Sequence, residues 1–231
     1  MQPDFYHITV ATLPHPVLEN LKRQVQMHHG TIRVLGSDEN RPIGWQSRGN
    51  FGIKLGKLFD FLQDTTIPDA AIILFTDAYD VACFGDHAEI LAKYASFSSP
   101  IVFGGEKHCN PDPSRRSDYP SPNLTTEFPF LNSGLFIGRA WALRECMEGY
   151  VYNDEHDDQR YWTGKYLRSP DMISIDHCAE LFLNTVDMNM DAFSWDNHRV
   201  RYNDRSPTFV HVNGPDKQMI HLFMSDAPMR P

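Results

Sequence analysis

The stretch that most constrains this chain is Ala70-Ala-Ile-Ile-Leu-Phe-Thr-Asp77-Ala-Tyr-Asp80, an apolar run that ends abruptly in two carboxylates. The run is short, β-branched and aromatic, the pattern of a buried strand in an α/β sheet. Acidic residues at the carboxyl end of such a strand sit where open α/β sheets bind ligands. Two aspartates there can hold a divalent cation, and the cation can hold a diphosphate. Strand-end aspartates also cap the loop or helix that follows. The segment alone leaves both readings open.

The rest of the chain supplies the sheet this strand needs. Phe5 to Leu13 reads as a first strand broken by Pro14-His15-Pro16. Val17 to His29 places Val17, Leu18, Leu21, Val25 and Met27 roughly on one helical face, and Gly30 suits its end. Thr31–Leu35 is a second strand, completing a βαβ opening. A helix is expected over Ile53–Leu62 and another over Asp86–Phe97, with Asp86 as its cap. Pro100–Gly105 reads as a strand. Phe130–Gly138 reads as one interrupted at Asn132–Gly134. Helices are expected over Ala140–Val151 and from Asp157 to about Leu167, then extended segments at Met172–Ile175 and Thr208–Pro215. Asn110–Thr126 has almost no apolar periodicity and reads as a long loop, of the kind that is a functional lid or disordered. No repeat or linker divides the chain, so residues 1–231 are expected to form one mixed α/β domain.

Composition removes several function classes. A hydrophobic content of 41% and an aromatic content of 12% belong to a globular protein. A formal charge of −9 argues against a nucleic-acid partner, which would want a basic stripe. An acidic protein can still bind a phosphorylated substrate if a metal supplies the positive charge. No stretch approaches the length of a membrane span. The opening Met-Gln-Pro-Asp-Phe-Tyr-His has no basic region followed by an apolar one, so no secretory leader is visible and the sequence by itself points to the cytoplasm. Cys83, Cys109, Cys146 and Cys178 are too widely spaced for a CxxC motif. Buried free thiols are the default, with disulfides open only to a chain that matures in an oxidising compartment.

Several residues are candidates for chemistry. Asp77 and Asp80 can converge on one cation, and Tyr79 between them can offer its ring to a flat base or simply pack in the core. His211 ends an apolar strand before Asn213-Gly214-Pro215, which forces a turn. It is a packing residue or a third ligand. Two carboxylates plus an imidazole suit Mn²⁺ better than Mg²⁺, which prefers all-oxygen shells. In Asp154-Glu-His-Asp157-Asp158-Gln159 the acids form a solvated helix start favoured by the helix dipole, or Asp157 or Asp158 turns inward to a sugar. In Asn132-Ser133-Gly134 the glycine permits close backbone approach to a ligand, and the polar side chains can meet sugar hydroxyls.

Thr76-Asp-Ala-Tyr-Asp80, Phe130-Leu-Asn-Ser-Gly134 with Phe136-Ile-Gly138, Asp157-Asp-Gln159 and His211-Val-Asn-Gly-Pro-Asp-Lys217 occur in the order and approximate spacing of one family. The chain resembles the N-terminal glycosyltransferase domain of the multifunctional procollagen lysyl hydroxylases, from about Phe5 to Leu222. Asp196-Asn-His-Arg-Val-Arg201 is also similar to the family's segment before the histidine motif. The resemblance implies a single GT-A (Rossmann-like) domain with a mixed central sheet and a UDP-sugar donor. It implies Mn²⁺ held by Asp77, Asp80 and His211, and Tyr79 stacked on uracil. Asn213 and Lys217, with Gly214 between them, match positions near the diphosphate. Lys54 and Trp45 match donor-pocket positions more loosely. Asp157 and Asp158 match the end of a poly-aspartate run lining the catalytic pocket.

The implied reaction is transfer of glucose from UDP-glucose to galactosyl-hydroxylysine of collagen-like chains, with retention, in the endoplasmic reticulum lumen. The rivals are a UDP-galactose-dependent hydroxylysine galactosyltransferase and a non-catalytic collagen-binding domain. Two departures stand out: Asn110 replaces the tryptophan that follows the family's cysteine, and Glu155 and His156 interrupt the acidic run.

Overall fold

The computed structural model describes residues 3–44, 49–120, 126–196 and 199–224. In chain order the elements are β1 (Phe5–Val10), α1 (Pro16–Met27), β2 (Arg33–Leu35), α2 (Gly52–Leu62), β3 (Ile72–Thr76), β4 (Val81–Cys83), α3 (His87–Tyr94), β5 (Ile101–Glu106), β6 (Phe130–Arg139), α4 (Ala140–Cys146), α5 (Asp158–Arg168), β7 (Ile173–Asp176), β8 (Phe182–Asn184), β9 (Phe193–Asp196), β10 (Arg199–Tyr202), β11 (Phe209–His211) and α6 (Ile220–Met224).

The strands form one mixed sheet in the order β2-β1-β3-β6-β5-β8-β11-β4, with β7 also paired to β5. β1 runs parallel to β2 and β3, whereas β6 lies antiparallel to both β3 and β5. β8 runs parallel to β11, and β4 closes the far side antiparallel to β11. β9 and β10 pair separately. The fold is thus a mixed α/β architecture of GT-A type.

Period-two alternation divides the core between the sheet's faces. Ile73 and Phe75 of β3 join Leu55 and Leu58 of α2, Leu143 of α4 and Trp162 of α5. Ile72 and Leu74 join Leu21 and Val25 of α1 and Ile90 of α3. On the first face Phe136 stacks on Phe75 at 4.9 Å and lies 4.8 Å from Phe103, which in turn lies 5.2 Å from Trp162. Each such ring pair adds about 0.5–1.5 kcal/mol beyond its buried area. α3 and α5 start where short polar side chains accept free backbone N–H groups. Asp86 accepts from Glu89 N at 2.8 Å and Asp157 from Arg160 N at 2.9 Å.

Four expectations change. β6 runs unbroken through Asn132–Gly134, and the interruption lies in its pairing with β5 instead. Phe103 faces Phe136 but Gly104 faces Asn132, so Ser133 to Leu135 bulge away from β5. α4 stops at Cys146 rather than Val151, and Gly149 turns the chain at φ +69°. The segment 110–120 is no lid. Pro113–Asp118 forms a 3₁₀ turn, Tyr119 packs edge-on to Phe130 at 5.0 Å, and Arg160 grips Asp112 through Nε at 2.9 Å. Finally, β4, β8 and the β9–β10 pair are additional strands.

Candidate functional site

Backbone pairing brings three distant residues to one point. Asp77 follows β3, and its N–H donates to Gly134 O at 2.8 Å in the β6 bulge. Asp80 precedes β4, and its carbonyl accepts from Val212 N at 2.8 Å, one residue past His211. The β4–β11 register sets His211 opposite Val81. One ligand atom each from Asp77, Asp80 and His211 then lies within 4.8 Å of the others. His211 Nε2 is 3.3 Å from Asp80 Oδ2 and 3.7 Å from Asp77 Oδ2. The donor set, two carboxylates and an imidazole, fits a divalent cation that accepts nitrogen. The cradle fits too: a Cβ on Gly134 would stand 2.3 Å from His211 Cε1 and 2.9 Å from Asp77 Oδ2. Only glycine lets the bulge close over the imidazole.

Around this centre lie two ammonium groups and a third aspartate. Gly52 opens α2 against the backbone of the 153–154 turn, where a Cβ would overlap Asn153 O at 1.8 Å. That close approach carries Lys54, in the first turn, into the site. Lys54 Nζ is 2.7 Å from Asp77 Oδ1 and 3.3 Å from Asp158 Oδ2. Burial opposes its charge, but Asp158 and Asp77 outweigh burial and push its pKa up. Lys217 Nζ donates to Asp80 Oδ2 at 2.5 Å and to Val212 O at 2.8 Å. Burial likewise opposes the Asp80 charge, and His211 and Lys217 overcome it, holding the carboxyl well below the usual range. Asp158 also accepts from Ser133 Oγ at 2.9 Å.

The two neighbouring aspartates are therefore not equivalent. Asp158 is buried and faces Lys54 and Ser133. Asp157 caps α5 and sits 3.7 Å from Arg160, its pKa raised by burial and by Asp158 beside it. Tyr79 is anchored by its hydroxyl, which accepts from Thr12 N at 2.9 Å and Leu13 N at 3.0 Å, and its ring lies 5.1 Å from that of His15. Asn132 accepts from Gly134 N at 2.9 Å and shapes the bulge. Asn213 accepts from Val186 N at 2.9 Å, and Gly214 turns at φ +89° beside Val186. Trp45 lies outside the described residues.

Sequence reasoning missed Glu106 and Asn184. Glu106 ends β5, is 1% exposed, and accepts from Gln159 Nε2 at 2.5 Å and Asn213 Nδ2 at 2.9 Å. Burial raises its pKa to about 7. Gln159 also accepts from Ser133 N at 3.3 Å, so Glu106 links the Asn213 turn to the Ser133–Asp158 pair. Asn184 Oδ1 lies 2.7 Å from His211 Nδ1. The available signal was a lone Glu closing the Ile101–Glu106 apolar run, and Asn184 closing a run too short to read as a strand. The cysteines Cys83, Cys109 and Cys146 are buried free thiols, and Cys178 is free and exposed.

A family model for the PLOD GT domain matches residues 1–225. The multifunctional procollagen lysine hydroxylase and glycosyltransferase LH3 of Homo sapiens is 30% identical over 96% of this chain and 31% of its own length. Procollagen-lysine,2-oxoglutarate 5-dioxygenase 1 of Mus musculus is 31% identical over 96% of this chain and 32% of its own. This chain thus spans about a third of the length of these relatives. Among solved structures, a glycosyltransferase involved in the glycosylation of the major capsid of PBCV-1 aligns with a TM-score of 0.51 at 11% identity. The alignment covers 96% of this chain and 99% of that one, a likeness of fold alone.

Proposed function

This chain belongs to the PLOD GT domain family, a glycosyltransferase domain, and we propose that it transfers glucose from UDP-glucose to galactosyl-hydroxylysine of collagen-like chains, with retention. The observation that carries this reading is the convergence of Asp77, Asp80 and His211 beside Lys54 and Asp158. Asp77, Asp80 and His211 would hold Mn²⁺. The ion would neutralise the donor diphosphate and stabilise it as it departs. Lys54 and Lys217 add positive charge on either side of the carboxylates. Asp158, fixed by Lys54 and Ser133, holds negative charge where the glycosyl centre becomes positive, and acts there without forming a covalent bond. Under retention the leaving diphosphate itself can take the acceptor proton, so no side chain is required as base. Tyr79 presents its ring for the uracil while its hydroxyl is held by the backbone. Asn132, Asn213 and Gly214 shape the floor of the donor pocket, and Trp45 is assigned to it by the family resemblance alone.

The family's collagen-modifying relatives support the endoplasmic reticulum lumen as the site of action. Among the described residues no helix is long and apolar enough to cross a membrane.

One observation favours a second reading. Asn110 stands where the family motif has tryptophan, and its carbonyl is used to hold Gln159 at 2.9 Å. A domain altered there could bind collagen without turnover, or take UDP-galactose onto bare hydroxylysine. The purified chain with Mn²⁺ should be offered both UDP-sugars and both acceptors. Glucose on galactosyl-hydroxylysine is the expected product. Galactose on bare hydroxylysine would replace that reading, and neither transfer nor donor hydrolysis would leave the binding domain.

A further inference from the structure

His211 has two ring nitrogens, and only one of them can serve a cation. Which one is available depends on where the neutral ring keeps its proton. β8 and β11 run parallel, and their register places Asn184 directly beside His211. Side chains of paired residues emerge on the same face of a sheet, so the two must meet. They do so at 2.7 Å, between His211 Nδ1 and Asn184 Oδ1.

The amide cannot be reversed. Asn184 Nδ2 donates to Gly105 O at 2.9 Å, and a carbonyl can only accept. Were the amide turned, two oxygens would face each other in a place where Asn184 is 0% exposed and no water could relieve them. Gly104 permits this close approach, because a Cβ there would stand 2.8 Å from Asn184 Nδ2. β5 and β8 share one backbone pair, Gly105 with Leu183. The Asn184 amide continues that ladder by one side-chain bond.

With Oδ1 fixed as an acceptor, Nδ1 must donate. The neutral imidazole then carries its proton on Nδ1 and its lone pair on Nε2. That lone pair faces Asp80 Oδ2 at 3.3 Å and Asp77 Oδ2 at 3.7 Å. A lone pair aimed at two carboxylate oxygens is satisfied only by a proton or by a cation between them.

We propose that Asn184 is the positioning residue of this centre: through its bond to Gly105 it fixes His211 as the Nδ1–H tautomer and reserves Nε2 for a divalent cation shared with Asp77 and Asp80. The proposal rests on the reading of His211 as a ligand. It adds a residue that touches neither donor nor cation. Partners that orient a metal-ligating histidine commonly change metal affinity by about tenfold to a hundredfold when removed.

Two measurements test it, neither of which needs turnover. The first is the ¹⁵N spectrum of the histidine-labelled, metal-free protein followed across pH, with His211 assigned by comparison with His211→Gln. The expected pattern for the neutral ring has the proton on Nδ1 and none on Nε2. A neutral ring with its proton on Nε2 overturns the proposal. The second is Mn²⁺ titration by electron paramagnetic resonance without nucleotide, on the wild type, Asn184→Leu and Asn184→Asp. The Leu variant should lose about tenfold or more in affinity. The Asp variant keeps an acceptor for Nδ1–H and should bind at least as tightly as the wild type. No loss in Asn184→Leu, or equal loss in both, overturns the proposal. If Asn184→Leu fails to fold, the spectrum of the unaltered protein still decides. A wild type that binds no Mn²⁺ while showing the Nδ1–H tautomer would sink the metal assignment instead, and the two failures remain distinct.

Discussion

Gly134 shows how much a single missing methyl can decide. Its Cα sits so close to the His211 ring that any side chain would push the imidazole away from Asp77 and Asp80. Gly134→Ala should therefore fold, at an overpacking cost of about 1–3 kcal/mol, yet lose most Mn²⁺ affinity. Calorimetric Mn²⁺ titration of the variant checks this, and wild-type affinity would mean that the imidazole has room to move. The same scale separates Asp157 from Asp158, which adjacency in sequence could not do. Asp157 spends its carboxylate on the start of α5, so Asp157→Ala should cost about 1 kcal/mol of stability, the usual worth of a cap. Asp158 meets Lys54 and Ser133, so Asp158→Asn should keep UDP binding and lose at least about tenfold in transfer, or 1.4 kcal/mol on the barrier. UDP calorimetry and a transfer assay on both variants decide it. Equal turnover in wild type and Asp158→Asn would remove Asp158 from the reaction. The identity of each candidate could be read from residue type and position. Its orientation could not, because that depends on side-chain partners far away in sequence, such as Ser133 for Asp158, 25 residues away, and Lys217 for Asp80, 137 residues away.

At the scale of elements, long amphipathic segments were legible, as were the short strands β2, β7 and β11, whereas β4, β8 and the β9–β10 pair were not. α1, α2 and α5 follow from apolar periodicity, a glycine or a cap, all local signals. β4 and β8 have three residues each and no room for a pattern, so only their pairing with β11 makes them strands. That loss mattered, because β8 carries Asn184; β5 was read, but only to Gly105, one residue short of Glu106. Glu106 also gives this layer a pH dependence of definite sign. Its folded pKa of about 7 lies above the ordinary 4.5, so between those values the folded state holds a proton that the unfolded state has released. Stability from this group is therefore full below about pH 4.5 and declines as pH rises to about 7, by about 3 kcal/mol in all. Burial lowers the His7 pKa to about 3 and acts in the opposite sense between there and 6.5. That contribution is common to wild type and Glu106→Gln, so it cancels in their difference. Urea unfolding of both proteins at pH 4.5 and pH 8 should show the wild type losing about 2–3 kcal/mol more than the variant over that interval. Parallel curves would mean that Glu106 is ionised in the folded protein throughout.

The whole molecule explains why an acidic chain can handle an anionic donor. Its net charge is −9, but Lys54 and Lys217 stand at the one place where phosphate is expected, held there by the carboxylates that would also hold the cation. The GT-A fold and the family were legible because four motifs recur in order between Thr76 and Lys217. No single motif carried that weight, since an Asp-x-x-Asp turn or a lone histidine has ordinary structural uses. The site draws on α2, β3, β6, α5 and β11, and those elements span both sides of the central β6–β5 pair. A ligand bound there should stabilise the entire sheet rather than one half of it. At a hundredfold excess over its dissociation constant, UDP with Mn²⁺ should contribute about 2.7 kcal/mol. For a domain of this size that is roughly 5–10 °C in Tm. Differential scanning calorimetry should show one transition that moves as a unit, and in Asp77→Ala the metal-dependent shift should vanish while the single transition remains. Two transitions of which only one responds would contradict a single cooperative domain, and an undiminished shift in Asp77→Ala would place the cation elsewhere.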